Sequence, residues 1–447
     1  MTTVITYGTY DMLHYGHRRL LERAKALGDY LIVGVTAEDF DKLRGKINVK
    51  QSLMERIEGV RATGLADKII VEEYQGQKID DIRRYGVDIF AIGSDWEGKF
   101  DYLNEFCQVI YLPRTENISS TQLRSEEHPL RLGVVGDSFI SEKVIRECGS
   151  VNGLTTPLVF TRNDRLKEWA EKQGIGSAAS YEELLTQVDA VYLATEQEKH
   201  ERQIRQALEM GRHVLCETPV SANRGECQEL LDLAASKGLI LMEAIKTAYA
   251  TAYNRLLLLV KSKVIGSVAS VDATCTQLKP IASGGEMGQP SICAWGPTAM
   301  LPVLQILGTQ YQSLSFVSSF RDEEKVFDTF TKIDLCYPNA VASIKVGKGV
   351  KSEGELVITG TKGYIYVPAP WWKTDYFEIR YENQNANRRY FYALEGEGIR
   401  YELLTFQRSI QNGKNCSYIS AEESLEIAGI LEKFYRKENL REIKIIE

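Results

Sequence analysis

The sequence lacks paired cysteines and long apolar runs. Its 447 residues include 8 cysteines with no Cys-x-x-Cys pair among them, which excludes a disulfide framework and indicates a reducing compartment. The longest apolar stretches, such as Leu256–Val260, are far shorter than the roughly 20 residues that span a bilayer. The first residues have neither the basic start nor the apolar run of a signal peptide. We therefore expect a cytoplasmic protein that has no contact with a membrane.

The sequence also lacks clusters of basic residues. Its 54 Lys and Arg residues are interleaved with 61 Asp and Glu, for a net charge of −7, so we expect no nucleic-acid partner. Histidine is scarce, with only 5 in the chain. The length exceeds one ordinary core, so we expect two or three domains. We also expect a homo-oligomer in solution. Without a basic cluster, any phosphate-bearing ligand must be recognised by a few individually positioned side chains, which favours a small ligand.

What is present is an alternation of strands and helices. At residues 1–125, apolar strands such as Val4–Tyr7 alternate with helical patterns, which predicts a parallel sheet covered by helices. A polar linker is expected at 126–130. A second βαβ pattern at 131–250 predicts a dinucleotide-binding Rossmann domain, and 251–447 predicts an open, mostly antiparallel α+β sheet. The fold class is thus α/β. In the last region the predicted strands and final helix are Ser267–Thr276, Ser313–Arg321, Lys332–Cys336, Ala340–Val346, Glu355–Ile358, Gly363–Val367 and Ala421–Glu438.

The sharpest motif is Gly8-Thr-Tyr-Asp-Met-Leu-His14-Tyr-Gly16-His17, between a predicted strand and a predicted helix. Gly8 allows the backbone to approach a phosphate, and Gly16 allows a tight turn. His17 falls at a helix N-terminus, where unpaired N–H groups and the helix dipole favour an anion. Both imidazoles can donate hydrogen bonds to phosphate oxygens while a nucleophile attacks the α-phosphorus. The alternative is that His14 and His17 are ordinary loop residues, which their scarcity and context disfavour.

Four stretches extend this motif over the first domain. They read ITYGTYDMLHYGH (5–17), LLERAKALGDYL (20–31), IGSDWEGKFDYL (92–103) and VIYLPRTENISSTQLR (109–124). Through them, residues 1–124 resemble the glycerol-3-phosphate cytidylyltransferase family, within the H-x-G-H nucleotidyltransferase superfamily. The resemblance implies transfer of CMP from CTP, accompanied by Mg²⁺, to a small polyol phosphate with release of pyrophosphate. A product such as CDP-glycerol would then feed a cell-surface polymer such as teichoic acid.

The resemblance also implies residue roles. Besides the two histidines, Lys46 and Arg114 would act on the triphosphate, Arg114 as a fixed-charge fork suited to phosphate oxygens. Arg44 and Lys78 would hold the polyol phosphate; the family usually has Lys at the first position, so the polyol is left open. Arg56 is expected to support the fold rather than touch substrate. The other implied substrate-binding residues are Gly8, Thr9, Tyr10, Tyr15, Gly16, Gly93, Asp95, Trp96, Thr115, Ile118, Ser119, Ser120 and Thr121. Of these, Asp95 and Trp96 would belong to the cytosine pocket, and Ser119–Thr121 could instead only cap a short helix.

A second strand–glycine–helix opening reads Gly136-Asp-Ser138-Phe-Ile-Ser141. It is a degenerate dinucleotide fingerprint, with Ser138 in place of the glycine that lets the backbone touch pyrophosphate. Together with SYEELLTQVDAVYLAT (180–195), HERQIRQALEMGRHVLCETP (200–219) and ITGTKGYIYV (358–367), it makes residues 131–447 similar to the glucose–fructose oxidoreductase and inositol dehydrogenase (Gfo/Idh/MocA) family. The cofactor-binding residues implied are Gly136, Ser138, Phe139, Ile140, Arg162, Thr195, Glu217 and Thr218. Arg162 favours NADP over NAD because a basic residue there suits a 2′-phosphate; alternatively it is a solvated turn residue.

The second region departs from this family at its reacting residues. The usual Glu-Lys-Pro motif is Glu217-Thr-Pro219 here, and Ala294 and Leu301 stand where the family carries Asp and His. The family's catalytic lysine and histidine are therefore missing.

Two hypotheses remain for the second region. In the first it is an NADP-dependent ketose-phosphate reductase, with Lys246 or Tyr249, beyond a strand predicted at Leu239–Met242, as the proton donor. Those two residues could equally be packing on one helix face. In the second hypothesis the region is non-catalytic and serves as an assembly or ligand-sensing module.

Overall fold

The computed structural model describes residues 2–37, 49, 51, 53–74, 76–113, 129–151, 153–278, 289–392 and 394–445. The chain divides into two compact units, the first from Met1 to Pro129 and the second from Leu130 to Glu447. Within these described ranges no helix combines the length and the apolar character needed to cross a membrane.

The first unit is built around a parallel five-stranded sheet. Its strands are β1 (Thr3–Gly8), β2 (Tyr30–Thr36), β3 (Lys68–Glu72), β4 (Ile89–Gly93) and β5 (Gln108–Leu112). Its described helices are α1 (Tyr15–Lys25), α2 (Leu53–Ala62) and α3 (Gln77–Tyr85). The strand order is β3-β2-β1-β4-β5, with every pairing parallel. The chain therefore reverses its direction of winding between β1 and β4.

Helices cover both faces of this sheet, which explains the continuous apolar runs of its strands. On one face Val4, Leu31 and Val33 pack with Leu21 of α1. On the other face Ile5 and Ile32 pack with Ile82 of α3 and with Phe90. The predicted parallel α/β domain is confirmed.

The second unit begins with another parallel sheet. Its strands are β6 (Leu130–Val135), β7 (Leu154–Thr155), β8 (Leu158–Phe160), β9 (Gly176–Ser177), β10 (Ala190–Leu193), β11 (His213–Glu217) and β12 (Leu241–Ala244). The order is β12-β11-β10-β6-β8-β9, with β7 paired to β6. Its helices are α4 (Phe139–Cys148), α5 (Asp164–Lys172), α6 (Tyr181–Gln187), α7 (His200–Glu209) and α8 (Arg224–Ser236). One boundary corrects the sequence analysis: β12 lies two residues later than predicted.

The rest of the second unit is a mixed nine-stranded sheet with helices. The strands are β13 (Val268–Gln277), β14 (Ser313–Phe320), β15 (Asp328–Cys336), β16 (Val341–Lys348), β17 (Leu356–Gly360), β18 (Tyr364–Val367), β19 (Tyr376–Arg380), β20 (Arg388–Phe391) and β21 (Leu440–Glu442). The helices are α9 (Thr251–Lys261), α10 (Ser291–Leu307), α11 (Ile399–Asn412) and α12 (Ala421–Tyr435). Only the β13–β16 and β14–β21 pairs are parallel, so the expected mostly antiparallel sheet is confirmed.

Several elements of this last region were not predicted. Helix α10 runs through Pro297 and Pro302, and it persists because its apolar side chains are buried against β13 and β16. Helices α9 and α11 were also missed. Strand β15 starts four residues before the predicted Lys332, and the final helix ends at Tyr435, because the following residues pair with β14 as β21.

Candidate active site

The loops that follow β1 and β4 lie at the carboxyl edge of the first sheet. Since these strands are adjacent and parallel, both loops lie at the point where the winding reverses, which is where open α/β sheets bind ligands. The first loop carries the histidine motif, and the second carries Gly93, Asp95 and Trp96. The topology therefore brings the two motifs to the same edge of the sheet.

The two histidines of the motif lie against each other at the start of α1. Their rings stack with centroids 3.9 Å apart and planes 20° apart. His14 is the N-cap residue, and its Nδ1 accepts a hydrogen bond from the Gly16 N–H at 3.1 Å. This hydrogen bond fixes the acceptor nitrogen of His14, so its Nε2 carries the proton and can donate to an anion. The edge of the Tyr10 ring packs on His17, 5.6 Å between centroids.

Buried polar contacts hold the histidine loop in place. Arg56 of α2 is fully buried, and its guanidinium donates hydrogen bonds to the carbonyl oxygens of Thr9 and Thr36, each at 2.8 Å, and of Gln51 at 3.1 Å. Asp11, also buried, accepts from the Gln51 N–H at 2.9 Å. The expected supporting role of Arg56 agrees with these contacts.

Tyr10 shapes the same loop from inside. It is buried, its φ is +53°, and its ring lies directly over Gly8. A Cβ at Gly8 would come within 2.9 Å of that ring, so the close approach requires glycine. Thr9, beside them, is half-buried, whereas Tyr15 at the start of α1 is exposed. Tyr10 therefore acts as a support for the loop, with its hydroxyl in the core.

The β4 loop presents a polar and an aromatic side chain. Gly93 caps a single turn, Ser94–Trp96, that places Asp95 at the surface and leaves Trp96 half-buried. Trp96 packs against Phe100, 5.8 Å between centroids, and the Lys99 ammonium lies 5.1 Å from its ring centre. An aromatic face beside a carboxylate is suited to a nucleobase with an exocyclic amine.

Lys78, which the resemblance implies holds the polyol phosphate, is buried in the structure. Its ammonium pairs with the buried Glu72 carboxylate and sits 4.5 Å from the Tyr7 ring centre. The Thr36 hydroxyl donates to the same carboxylate at 2.9 Å. Lys78 would thus reach a phosphate only as one member of a buried pair. The remaining expected residues lie outside the described residues: Arg44, Lys46, Arg114, Thr115, Ile118, Ser119, Ser120 and Thr121.

In the second unit the expected cofactor residues also lie at one sheet edge. Gly136 follows β6, Thr195 follows β10, Glu217 and Thr218 end β11, and these strands are parallel neighbours. Gly136 has φ +144°, and a Cβ there would come within 2.3 Å of the Ala194 carbonyl oxygen. Only glycine fits this close crossing, and the exposed Ser138 and Phe139 with the half-buried Ile140 begin α4 just beyond it.

Arg162 lies beside that loop. Its side chain is 69% exposed and its Nε is 3.5 Å from Asp137 Oδ2. Asp137 also accepts from the Arg162 N–H at 2.6 Å and the Thr161 hydroxyl at 3.0 Å. The loop after β6 and the turn after β8 are therefore joined, and the guanidinium remains accessible to an anion.

Glu217 and Lys246 lie near a buried acidic group at the same edge. The Tyr192 hydroxyl donates to Glu217 Oε1 at 2.5 Å, and Glu402 of α11 is buried close by. Burial raises the pKa of Glu217 and raises that of Glu402 well above the usual range, whereas the Lys246 ammonium lowers both. Thr218 is engaged elsewhere, donating to Glu243. Lys246 pairs with Glu397, Nζ to Oε2 3.0 Å.

Tyr249, the other candidate proton donor, is buried. It is 3% exposed and packs against Tyr418, and its hydroxyl lies 2.9 Å from the Ser417 hydroxyl. The side chain that was a candidate proton donor is therefore part of the core, while Lys246 remains partly exposed.

Comparison with known proteins bears on the first unit. Residues 5–126 match the family described as cytidylyltransferase-like. Glycerol-3-phosphate cytidylyltransferase of Bacillus spizizenii is 49% identical over 126 residues, which cover 28% of this chain and 97% of that protein. This chain belongs to the cytidylyltransferase family. The H-x-G-H motif, His14–His17, lies within the matched residues.

The second unit matches a different family. Residues 130–245 match the description "Oxidoreductase family, NAD-binding Rossmann fold". Trans-1,2-dihydrobenzene-1,2-diol dehydrogenase of Bos taurus is 28% identical over 321 residues, covering 68% of this chain and 95% of that protein. The structure of KijD10, a 3-ketoreductase from Actinomadura kijaniata bound to NADP and TDP-benzene, has a TM-score of 0.63 at 20% identity, covering 71% of this chain and all of that chain. At that identity the likeness shows the fold.

The sequence analysis missed three residues at the carboxyl edge of the second unit's parallel sheet: Asp137, Tyr192 and Glu402. Asp137 follows the fingerprint glycine directly, which was a usable signal. Tyr192 lies within an apolar strand and Glu402 within a helix 185 residues after Glu217, so only the folded chain brings them together.

Proposed function

We propose that this protein is a bifunctional cytidylyltransferase and reductase. Its first unit transfers CMP from CTP to a small polyol phosphate, with glycerol 3-phosphate as the default, and its second unit reduces a ketose phosphate with NADP(H). The stacked His14–His17 pair at the start of α1 carries the proposal, together with 49% identity to a glycerol-3-phosphate cytidylyltransferase. The product, a CDP-polyol such as CDP-glycerol, would be an activated precursor for a cell-surface polymer such as teichoic acid.

In the first reaction an oxygen of the polyol phosphate attacks the α-phosphorus of CTP. The new P–O bond forms as the bond to the β-phosphate oxygen breaks, and pyrophosphate leaves with that electron pair. His14 Nε2 and the His17 ring donate hydrogen bonds to the oxygens on which charge builds, and the N-terminus of α1 adds its dipole. Asp95 and Trp96 would hold cytosine, and Arg114 and Lys46 would neutralise the triphosphate with Mg²⁺ brought by CTP.

In the second unit the residues fit a dinucleotide. Gly136 brings the backbone close to the sheet edge, the start of α4 offers N–H groups to a pyrophosphate, and Arg162 offers a charge to a 2′-phosphate. When bound, NADPH supplies hydride. Lys246 Nζ would give a proton to the carbonyl oxygen of the ketose, and the neighbouring carboxyl groups of Glu217 and Glu402, with their raised pKa values, would return one to it.

The cytidylyltransferase proposal is tested by incubating the protein with CTP, Mg²⁺ and a panel of polyol phosphates. Pyrophosphate release is expected with glycerol 3-phosphate or a close analogue. A folded protein that releases no pyrophosphate with any polyol phosphate in the panel would refute the assignment.

The reductase proposal needs a separate assay. NADPH oxidation is expected with dihydroxyacetone phosphate or a pentulose phosphate, and Lys246→Met should abolish it without affecting pyrophosphate release. Binding of NADPH without reduction of any ketose phosphate would instead favour a ligand-sensing or assembly role for the second unit.

A further inference from the structure

Three lysines from separate parts of the second unit converge on one carboxylate. Lys143 Nζ of α4 lies 2.9 Å and Lys246 Nζ lies 3.0 Å from Glu397 Oε2, and Lys373 Nζ lies 2.7 Å from Oε1. We call these three lysines the lysine cluster. Among the residues that the structure describes, each of them forms an ion pair with Glu397 alone. The cluster therefore carries two more positive charges than its counter-ion neutralises.

The backbone around Glu397 has a left-handed conformation. Gly396, Glu397 and Gly398 have φ values of +59°, +53° and +91° in succession, a left-handed path that a non-glycine residue adopts at some cost. A Cβ at Gly398 would lie 2.7 Å from the Lys246 carbonyl oxygen, so the segment packs directly on the lysine cluster. Although burial works against it, hydrogen bonds from the three lysines hold the pKa of Glu397 well below its usual range.

The charge and exposure of the cluster match a phosphate dianion. The lysine side chains are 25–39% exposed, so a ligand can reach all three ammonium groups. Ammonium groups from three directions suit a tetrahedral group, whose oxygens also point in several directions, better than they suit a planar carboxylate. Glu397 would then be a displaceable internal counter-ion.

We propose that the lysine cluster binds the phosphate monoester of the second unit's substrate, which displaces Glu397. The naming of the substrate rests on the proposed reductase function. Lys246 belongs both to the cluster and to the edge that carries Glu217 and Glu402, and its charge acts on both carboxyl groups. In dihydroxyacetone phosphate, one methylene and one oxygen separate the carbonyl carbon from phosphorus, so a phosphate on Lys143 and Lys373 leaves the carbonyl beside Lys246.

The test is a footprint of lysine acetylation on the full-length protein, read by mass spectrometry without any turnover. Dihydroxyacetone phosphate at about ten times its Kd should slow acetylation of Lys143 and Lys373 about tenfold, in proportion to occupancy. Unphosphorylated dihydroxyacetone at the same concentration should not. Lys332, 38% exposed and paired with Asp334 on the open sheet, is the matched internal control and should be unchanged.

A second arm changes the cluster itself. Lys373→Met should raise the Kd of dihydroxyacetone phosphate, read from protection of Lys143, by about tenfold, as expected when a charge-assisted contact is lost. At the same probe concentration the protection then falls to about twofold, whereas Lys332→Met should change neither value. Glu397→Gln should strengthen protection severalfold, because it removes the competing anion. A purely structural ion-pair network predicts the reverse: no protection by the phosphate probe, and a Glu397→Gln variant whose only change is a lower Tm.

The source of the phosphate is decided by a third arm with NADPH alone. Protection of Lys143 and Lys373 by NADPH, and none by dihydroxyacetone phosphate, would assign the cluster to the cofactor and overturn the proposal. Protection by dihydroxyacetone phosphate without its reduction would refute the reductase function and leave the phosphate site standing. The wild-type footprint decides these outcomes even if a variant fails to fold.

Discussion

The histidine pair is a direct target at the residue scale. His17→Ala should lower turnover with CTP by roughly 10²–10³-fold, as expected when a preorganised donor to developing phosphate charge is lost. His14→Ala should lower it similarly and also cost about 1 kcal/mol of stability, because His14 caps α1. Steady-state pyrophosphate release and a thermal melt measure both effects. Arg18→Ala, on an exposed side chain of the same helix paired with Glu22, is the control; equal losses in all three variants would contradict the catalytic role.

Arg162 should set the choice of dinucleotide. Its exposed guanidinium lies at the turn after β8, so the second unit should bind NADPH about tenfold more tightly than NADH, the size of one charge-assisted contact. Arg162→Ala should make the two Kd values equal, whereas Arg165→Ala, a neighbouring exposed arginine on α5, should not. Calorimetric titration with each dinucleotide measures this. Equal affinities in the unmodified protein would remove the basis for the claim.

A buried aspartate should make the stability of the second unit depend on pH. Asp328 is fully buried and accepts hydrogen bonds from the Ile292 N–H and the Thr331 hydroxyl. Burial raises the pKa of Asp328 from 3.8 to about 6, so the folded chain holds a proton that the unfolded chain releases. The free energy of unfolding should therefore fall by about 3 kcal/mol as the pH rises from about 4 to about 6. Tryptophan fluorescence in urea measures it, since four of the five tryptophans lie in the second unit; Asp328→Asn should flatten the profile, and an unchanged slope would contradict the assignment.

Residue-level predictions were possible where the chemistry is local along the chain. Gly8, His14, Gly16 and His17 fall within ten residues, so a strand–loop–helix pattern was enough to place them together. The ion pairs and hydrogen bonds that could not be predicted from the sequence join segments that are far apart in the chain. Lys143 and Glu397 are 254 residues apart, and no pattern in either segment indicates the other.

At the scale of elements, α2 supports the histidine loop through one buried side chain. Arg56→Met should destabilise the first unit by about 3 kcal/mol, because three backbone carbonyl groups lose a buried charged donor. Arg61→Met, near the end of the same helix, removes an exposed arginine paired with Glu58 and should cost less than about 0.5 kcal/mol. Hydrogen exchange of residues 3–13 measures the difference. If both variants exchange alike, Arg56 does not hold the loop.

Elements were predictable where apolar periodicity was strong and uninterrupted. The predicted strands Ser267–Thr276 and Gly363–Val367 differ from β13 and β18 by at most one residue at either bound. Helix α10 was not predicted, because two prolines and a glycine interrupt its apolar pattern. Its stability comes from burial between β13, β16 and α12. Strand β21 has three residues and is defined only by its pairing to β14. Tertiary packing, which no local propensity reports, decided both.

At the scale of the whole molecule, the chemistry of the two units suggests consecutive reactions. Reduction of a ketose phosphate yields a polyol phosphate, the kind of acceptor that a cytidylyltransferase consumes. Joining both activities in one chain raises the local concentration of the shared intermediate. The two proposed functions therefore place reduction of the ketone before CMP transfer.

A coupled assay on the full chain tests this order. With dihydroxyacetone phosphate and CTP, pyrophosphate release should require NADPH, because only reduction creates the acceptor. Lys246→Met should abolish pyrophosphate release from the ketose phosphate while leaving release from supplied glycerol 3-phosphate unchanged; His17→Ala should lower both but leave NADPH oxidation intact. Mixing the two variants should restore pyrophosphate release from dihydroxyacetone phosphate, because the polyol phosphate diffuses from one variant to the other. The rate per protein molecule in this mixture should fall when the mixture is diluted, and it should fall less for the unmodified protein. Pyrophosphate release from dihydroxyacetone phosphate without NADPH would show that the first unit accepts the ketose phosphate itself, and the two reactions would not be consecutive.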